Sequence, residues 1–397
     1  MMKRTLAGLD PHRLDGQRAL VRVDFNCPVK NGVVTDDTRI RASLATIQYL
    51  KDRGARVVLC SHFGRPKGGP DPKFSLRPCV RPLETLLGAP VSFLDDPISP
   101  AAVTATKRLP RGGVALTENT RFYPGEETND PDLARQFAAL GDIYVNDAFG
   151  SAHRAHASTE GVAHLLKPAV SGFLMERELK YLGQALGQPK RPFLAVLGGA
   201  KISGKIDLIE ALLPKVDAIL VGGAMACTFF RAMGLETGNS LVEADRVDLA
   251  RGLLDRAEGK LVLPRGAVIA PDLKEGITTL TVPRQSIPPG FAVYDIDPTT
   301  AKDFGQRIRA AGTVFWNGPM GVFETRPFDQ GTRAVATAMA EATGRGAVTV
   351  VGGGDSAAAI VQAGLSNQVT HVSTGGGASL EFLEGKVLPG VAALDDA

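Results

Sequence analysis

One local pattern occurs four times in the second half of this chain and limits its fold more than any other feature. Each copy is an apolar strand, then a run of glycines, then the start of a helix. The copies are FLAVLGGAK, AILVGGAM, VTVVGGGDS and HVSTGGGAS. Glycine lets the backbone turn sharply after a strand, and strands alternating with helices form parallel sheets. The pattern predicts a doubly wound α/β sheet of the kind that binds nucleotides.

The third copy, Val350–Ile360, carries the chemistry most clearly. The first amides of a helix have no internal partners and carry the positive end of its dipole, so they bind anions and phosphate above all. Asp355 would repel a bare phosphate, and its presence indicates a nucleotide phosphate carried with Mg²⁺. The alternative, an ordinary strand-to-helix turn in an α/β protein, stays open for this stretch alone.

The first half of the chain also alternates strands and helices. Ala19–Asn26 alternates apolar and polar residues as a strand does, and Thr38 is placed to cap the helix that ends before Gly54. Asp130 and Pro131 have the positions of an N-cap and a first helical residue. We therefore predict an α/β fold of two Rossmann-like three-layer domains with parallel sheets, joined by a helix across a hinge cleft.

Length and composition fit this organisation. The 397 residues suit two domains, which we expect at 1–172 and 188–383, with a linking helix at 173–187. The net charge of +3 gives no argument for nucleic acid or membrane. Residues 1–172 hold 23 Lys and Arg against 18 Asp and Glu, so the first domain is the better candidate for an anionic ligand.

The cysteines and the N-terminus indicate a cytoplasmic protein. The four cysteines show no metal-ligand spacing and lie in apolar surroundings, so we expect buried, reduced thiols at positions 27, 60, 79 and 227. The N-terminus lacks the apolar run of a signal peptide, and no apolar segment is long enough to span a bilayer.

Polar and cationic residues follow the predicted strands of the first domain. Ligands bind at the carboxyl ends of parallel strands, and five separate loops bring such groups to that rim: Asp24, Asn26, Arg39, His62, Arg65, Arg121, His153, Arg154 and His156. Converging arginines predict a phosphate or carboxylate ligand. Charges spread over a solvated surface are the alternative.

The second domain has its own candidate anion groups. Lys201 and Lys205 are predicted on the first turn of a helix, where two cations oppose the dipole unless an anion bridges them. Side chains turned to solvent are the alternative. Glu324 ends a Gly/Pro-rich loop and could hold ribose hydroxyls, and Ser373–Ser379 offers a second cradle of backbone amides.

Two familiar nucleotide motifs can be tested directly. GxxxxGK[ST] does not occur, so the chain is not a P-loop NTPase. Gly352, Gly354 and Ala357 fit the looser dinucleotide pattern, but the next strand ends without the acid that a dehydrogenase needs. One anion site in each domain predicts phosphoryl transfer between a nucleotide and a small anion, with domain closure to exclude water.

Eight motifs in this order resemble those of phosphoglycerate kinases: RVDFNCPV, SHFGRP, ENTRF, DAFGSAHRAHAS, LGGAKISGKI, FWNGPMGVFE, GGGDSAA and STGGGAS. The resemblance runs from about Arg22 to Leu383. It implies exchange between 1,3-bisphosphoglycerate with MgADP and 3-phosphoglycerate with MgATP. It also implies a monomer whose tail, 384–397, packs back on the first domain.

The resemblance assigns roles to residues that match the motifs. It implies a phosphoglycerate site made of Asp24, Phe25, Asn26, Arg39, His62, Phe63, Gly64, Arg65, Arg121 and Arg154. It implies a nucleotide site made of Lys205, Glu324, Gly353, Gly354, Asp355 and Ser356, with Asp355 on Mg²⁺. The groups acting on the transferring phosphoryl would be Arg39, Lys201, Gly375 and Gly376.

Three departures from the family pattern stand out. Cys27 and Phe63 replace other apolar residues, and Val293 stands where many members have a glycine beside the base. The resemblance places the last change at the adenine pocket and away from the phosphate chemistry. Two rival functions remain: a dehydrogenase, and a nucleotide-binding sensor that kept the fold without activity. Loss of Arg39 or Lys201 would mark the sensor, and both residues are present.

Overall fold

The computed structural model describes residues 3–67 and 69–397. The chain divides into two compact units, Met1–Lys180 with Val387–Ala397, and Tyr181–Lys386. The division falls inside the helix Phe173–Gly187, which has the bounds expected for the linking helix.

The first unit is built on a six-stranded sheet. Its chain contains strands β1 (Arg18–Arg22), β2 (Val29–Lys30), β3 (Val33–Val34), β4 (Arg56–Cys60), β5 (Val91–Leu94), β6 (Val114–Thr117), β7 (Ile143–Asn146) and β8 (Ala169–Ser171). The sheet has the order β5-β6-β4-β1-β7-β8, and every neighbouring pair is parallel. β2 and β3 form a separate antiparallel hairpin.

Helices cover both faces of this sheet. They are α1 (Thr38–Asp52), α2 (Val80–Leu87), α3 (Pro100–Arg108), α4 (Pro131–Ala138), α5 (Val162–Leu165) and α6 (Phe173–Gly187). Val21 packs in one apolar cluster with Ile47 of α1, while its neighbour Leu20 packs in another with Phe137 of α4. Because successive strand residues point to opposite faces, a strand apolar on both sides requires this three-layer arrangement.

The C-terminal segment belongs to the first unit. Asp395 donates its backbone N–H to the carbonyl of Ala169 in β8, at 2.9 Å. The Asn146 side chain donates to the carbonyl of Gly390 at 3.0 Å. The tail therefore attaches to two neighbouring strands of that sheet.

The second unit contains a six-stranded sheet and a three-stranded one. Its strands are β9 (Phe193–Leu197), β10 (Ala218–Val221), β11 (Leu261–Val262), β12 (Gly266–Ala270), β13 (Leu280–Pro283), β14 (Ala292–Ile296), β15 (Thr313–Asn317), β16 (Val348–Gly352) and β17 (His371–Val372). The larger sheet, β11-β10-β9-β15-β16-β17, is wholly parallel. The smaller, β13-β12-β14, is antiparallel.

Helices again lie on both sides of the larger sheet, because every residue of β9 and β15 is buried. The helices are α7 (Ile206–Leu212), α8 (Met225–Ala232), α9 (Val247–Arg256), α10 (Pro298–Ala310), α11 (Gln330–Gly344), α12 (Gly354–Gln362) and α13 (Gly377–Leu383), and a last helix of the first unit, α14, is Pro389–Ala392. Trp316 is fully buried in the apolar cluster that contains Phe304 of α10 and Met339 of α11.

The predicted α/β class with parallel sheets is confirmed, with local corrections. β1 ends at Arg22, so Asp24 and Asn26 lie in the following loop. The N-cap of α1 is Asp37, and Thr38 instead donates to Asp36. All four cysteines are buried and free. Within 3–67 and 69–397, no helix combines the length and apolarity needed to cross a membrane.

Candidate active site

The parallel strands of the first unit bring its cationic residues to one edge. β1, β4 and β7 run in register, with Val21 opposite both Leu59 and Val145. Loops leaving the carboxyl ends of β1, β4, β6 and β7 therefore meet. They line a cavity of about 250 Å³ with Asn26, His62, Gly64, Arg65, Arg121, Gly150, Ser151, His153, Arg154 and His156.

Hydrogen bonds between these loops fix the cavity wall. The Asn26 side-chain oxygen accepts from the Gly64 N–H at 2.9 Å, and Arg121 Nη1 donates to the Gly64 carbonyl at 2.7 Å. Arg121 also lies 3.2 Å from Glu127, while Arg154 Nε contacts His153 Nε2 at 3.2 Å. Since Arg65 is exposed at the same edge, three guanidinium groups are available to an anion here.

Asp24 and Arg39 form an ion pair behind this edge. Burial raises the pKa of Asp24, but the positive charges of Arg39 and Arg22 and the Asn26 N–H oppose burial, and the pKa lies below its ordinary value. Neither residue lines the cavity. The ionised Asp24 carboxylate therefore accepts a charged hydrogen bond from the Arg39 guanidinium.

The two buried histidines of the cavity are neutral. Burial lowers the pKa of His62 to about 3, with Arg22, Arg121 and Arg39 adding to the effect and Asp24 opposing it. Burial likewise lowers the pKa of His156 to about 3, and the positive charges of Arg22, Arg121 and Arg154 add to the effect. Neutral imidazoles donate or accept according to their tautomer.

The structure places most, but not all, of the expected residues at the cavity. Asn26, His62, Gly64, Arg65, Arg121 and Arg154 line it, while Phe25 and Phe63 are packed in the apolar core. Gly150 and Ser151, which were not among the expected binding residues, also line it. Their position after β7, in the stretch DAFGSAHRAHAS, was the sequence signal for them.

The second unit has a glycine-lined cavity of about 340 Å³. Its walls come from the loops after β9, β15 and β16 and from the start of α13: Gly198, Gly199, Ala200, Lys201, Lys205, Asn317, Gly318, Gly353, Gly354, Asp355, Ser356, Gly376, Gly377 and Leu380. These loops again follow the carboxyl ends of parallel strands. The first, third and fourth glycine motifs therefore meet at one site.

Backbone conformation and a close side chain explain why position 353 of this cavity is glycine. Gly353 has φ of 91°, and a Cβ there would lie 2.6 Å from Asn317 Nδ2. The same Asn317 nitrogen donates to the Gly352 carbonyl at 2.8 Å, and Ser356 Oγ accepts from the Gly318 N–H at 2.6 Å. The turn before α12 is thereby tied to the turn after β15.

Lys201 and Lys205 both line the cavity, but not from a helix. α7 begins only at Ile206, so Lys205 is its N-cap and Lys201 lies in the preceding loop. The predicted helix start was wrong because Ser203 donates both its N–H and its hydroxyl to Glu243, which holds this segment as a loop. Burial lowers the pKa of Lys205 to about 8, with Asp355 opposing the shift.

Two expected residues lie apart from the cavity wall: Glu324, expected in the nucleotide site, and Gly375, expected to act on the transferring phosphoryl group. Glu324 is exposed and does not line the cavity. Gly375 is buried, with its N–H donated to Ser373 Oγ at 3.1 Å, while Gly376 does line the cavity. Asn317, which was not among the expected residues, is 2% exposed, and its Oδ1 has no partner. This buried acceptor suits a ligand that donates a hydrogen bond.

The residues present also test whether a metal ion would fit. No group of three or more His, Cys, Asp and Glu side chains that could hold a metal occurs in the part of the chain described. Asp355 is exposed and is the one carboxylate among the residues around this cavity. That set fits Mg²⁺, which takes one or two carboxylates and completes its shell with water and substrate phosphates.

A family model described as phosphoglycerate kinase matches residues 9–386. The chain belongs to the phosphoglycerate kinase family. The membership predicted from the eight motifs is confirmed, and so is the prediction of a kinase that transfers phosphate. The dehydrogenase alternative is thereby excluded.

Relatives of this phosphoglycerate kinase family member match it from end to end. The phosphoglycerate kinase of Chloroflexus aurantiacus (strain ATCC 29366 / DSM 635 / J-10-fl) is 58% identical over 403 residues and covers 100% of both chains. That of Chlorobaculum tepidum is 53% identical with the same coverage.

Solved structures of the family share the fold. The structure of phosphoglycerate kinase from Coxiella burnetii matches with a TM-score of 0.89 and 41% identity, covering 99% of this chain and 98% of the other. The phosphoglycerate kinase of Pyrococcus horikoshii OT3 matches with a TM-score of 0.86 and 32% identity, over 98% of each chain.

Proposed function

We propose that this protein catalyses the reversible transfer of a phosphoryl group between 1,3-bisphosphoglycerate with ADP and 3-phosphoglycerate with ATP. One observation carries the proposal: three arginines and a neutral histidine converge on one cavity in a member of the phosphoglycerate kinase family. Such a cluster favours a small molecule that carries both phosphate and carboxylate.

The phosphoglycerate end uses the cavity of the first unit. Arg65, Arg121 and Arg154 would grip the phosphate with paired hydrogen bonds. His62 and Asn26 would orient the carboxylate end. Asp24 would hold Arg39 in position through their ion pair. Phe25, Phe63 and Gly64 shape the two loops from which Asn26 and His62 project.

The nucleotide end uses the cavity of the second unit. Gly353, Gly354 and Ser356 would place the first amides of α12 against the phosphates. Lys205 would add a positive charge at the same point, and Glu324 is proposed for the ribose hydroxyls. The change at Val293 concerns the base alone and leaves the phosphate chemistry as it is.

Asp355 is the proposed ligand for a magnesium ion carried by the nucleotide. When bound, this ion neutralises phosphate charge that the carboxylate would otherwise repel. Asp355 has the exposure needed for this role.

The positive charge that stabilises the moving phosphoryl group would come from side chains of this protein. Arg39 and Lys201 are the proposed cations, and Gly375 and Gly376 the proposed backbone donors. Phosphoryl transfer depends on positioning and charge stabilisation more than on covalent catalysis. Direct transfer, with the two domains closing around both substrates, stays a prediction.

We further propose a monomeric, cytoplasmic, glycolytic enzyme whose partners are its small-molecule substrates, without nucleic acid or membrane. Four free, buried thiols suit a reducing compartment. Sedimentation of the purified protein would check the monomer, since a concentration-dependent dimer contradicts it.

A coupled assay tests the activity. Purified protein with MgATP and 3-phosphoglycerate should form ADP, and omission of either substrate should abolish the signal. Arg256, on the surface of the second unit in an ion pair with Glu210, provides a control variant, because Arg256→Ala should keep full activity. Nucleotide binding without turnover would contradict the proposed kinase activity and favour the alternative of a nucleotide-binding sensor.

A further inference from the structure

A fully buried arginine lies directly behind the cavity of the first unit. Arg22, the last residue of β1, is 0% exposed. Its guanidinium donates to the Val23 carbonyl at 2.5 Å and to Ser158 Oγ at 2.9 Å, and its Nη2 lies 3.2 Å from His62 Nδ1. A buried cation is costly unless it is paired and hydrogen-bonded, and none of the roles proposed above uses Arg22.

The hydrogen bonds continue from Arg22 to a buried carboxyl group. Ser158 Oγ, which accepts from Arg22, donates to Glu126 Oε1 at 2.5 Å, and Ser158 N donates to Glu126 Oε2 at 3.0 Å. Ser158 and Glu126 are also 0% exposed. The hydrogen bonds in this series therefore all run in the same direction, from Arg22 through Ser158 to Glu126.

These hydrogen bonds determine which nitrogen of His62 carries the proton. A guanidinium has only donors, so His62 Nδ1 accepts from Arg22 Nη2 at 3.2 Å, and the Ser151 hydroxyl, 3.5 Å from the same nitrogen, can donate to it as well. In a neutral imidazole, the proton then sits on Nε2. The ring is neutral because burial and the charges of Arg22, Arg121 and Arg39 outweigh the effect of Asp24 on its pKa. His62 thus has one N–H to offer to the cavity that it lines.

We propose that Arg22 is a positioning residue that fixes His62 as the Nε2–H tautomer, so that the neutral ring donates to the anionic substrate. Ser158 and Glu126 hold Arg22 in the orientation that this requires. The opposite tautomer would direct a lone pair at the anion and repel it. The identity of the anion as phosphoglycerate rests on the proposed function, whereas the tautomer does not.

The tautomer can be measured without any assay of turnover. In protein with ¹⁵N-labelled histidine, the two-bond ¹H–¹⁵N correlations of His62 should show a protonated Nε2 and an unprotonated Nδ1. The chemical shifts of the two ring nitrogens of His62 should not change between pH 5 and 8. His62→Gln assigns the signals by their loss. A protonated Nδ1, or a doubly protonated ring at pH 7, would overturn the proposal.

A double variant tests the role of Arg22 itself. Arg22→Met with Glu126→Gln removes the charged groups at both ends of this series of hydrogen bonds, so that neither charge is left buried without its partner. We expect mixed tautomers at His62 and a KM for 3-phosphoglycerate that rises roughly ten-fold or more, because a hydrogen bond to a charged ligand is weakened. The KM for MgATP should stay within about two-fold, since that substrate binds elsewhere. A folded double variant with the wild-type tautomer and KM contradicts the proposal.

Two further variants separate positioning from general destabilisation. Ser158→Ala removes a single hydroxyl and should raise the same KM by a smaller factor, roughly two- to ten-fold. Phe137→Leu loosens the core of the same unit without touching the chain of hydrogen bonds, and should leave tautomer and KM unchanged. An equal KM effect from Phe137→Leu would assign the result to stability. Absence of turnover in the wild type would instead overturn the proposed function alone.

Discussion

Lys205 and Asp355 line the same glycine-rich cavity, and the carboxylate only partly offsets the burial that lowers the pKa of Lys205 to about 8. The ammonium is thus close to losing its proton at moderately alkaline pH. A bound polyphosphate would favour the charged form, so proton uptake and nucleotide binding are linked at this residue.

Nucleotide affinity should therefore fall as pH rises through about 8. Above that pH, binding must first restore a proton to Lys205, so Kd for ADP should rise by up to roughly ten-fold per pH unit. Calorimetry from pH 6.5 to 9.5, in buffers of different ionisation enthalpy, measures both Kd and proton uptake. Lys205→Arg stays charged and should flatten the profile. An unchanged profile in that variant would place the titration elsewhere.

The glycine turn before α12 gives a prediction with a neighbouring control. Gly353→Ala puts a Cβ 2.6 Å from Asn317 Nδ2 in a residue with φ of 91°. The variant should lose about 1–3 kcal/mol of local stability. Its nucleotide affinity should fall as well. Gly354→Ala meets no atom within 4 Å and should leave stability unchanged. Thermal unfolding and ADP titration compare the two. Equal stability losses would contradict the steric argument.

Local chemistry made parts of this fold predictable from sequence. The strand, glycine turn and helix expected at Val350–Ile360 appear as β16 and α12, because a left-handed glycine between them is a local requirement. Asp130 caps α4 as expected, with its side chain accepting from the Leu133 N–H at 2.8 Å. In both cases the deciding contacts lie within a few residues.

Long-range contacts decided what the sequence could not reveal. Lys201 and Lys205 were placed on a helix that starts later, because Ser203 is held by Glu243, 40 residues away. Arg22 sits in an alternating pattern that suits an exposed residue. It is buried because its partners come from 40 and 136 residues further along the chain.

Because two buried histidines are neutral in the folded protein, acid pH should lower the stability of the fold. His62 and His156 have a pKa of about 3 when folded, against an ordinary value of 6.5. Between these values the unfolded chain binds more protons, so stability is complete above about pH 6.5 and is lost as pH falls toward 3. Urea unfolding from pH 4.5 to 7.5 should show a steeper loss in the wild type than in a His62→Gln, His156→Asn variant. Parallel curves would contradict this.

Two helix caps should differ in strength because their burial differs. Asp130→Ala removes one acceptor at a partly exposed helix start and should cost about 1 kcal/mol. Asp297 is 5% exposed and accepts from the N–H groups of Thr299 and Thr300 at the start of α10 and from that of Gly266 in β12. Asp297→Ala should cost about 2–4 kcal/mol, because buried donors lose their partner. Hydrogen exchange in α4 and α10 measures each effect, and a larger loss at Asp130 would contradict the ranking.

Arg39 provides the sharpest test of charge stabilisation, because the same helix offers a matched control. Arg39→Ala should lower kcat by about 10²–10³, the scale for losing one preorganised donor to the transition state, while the fold stays intact. Lys201→Ala should act similarly. Arg41 lies two residues from Arg39 and forms an exposed ion pair with Asp37, so Arg41→Ala should keep kcat. Steady-state kinetics and circular dichroism measure the three variants. A kcat for Arg39→Ala within a few-fold of wild type would remove Arg39 from the transition state, and would leave its ion pair with Asp24 as a purely structural contact.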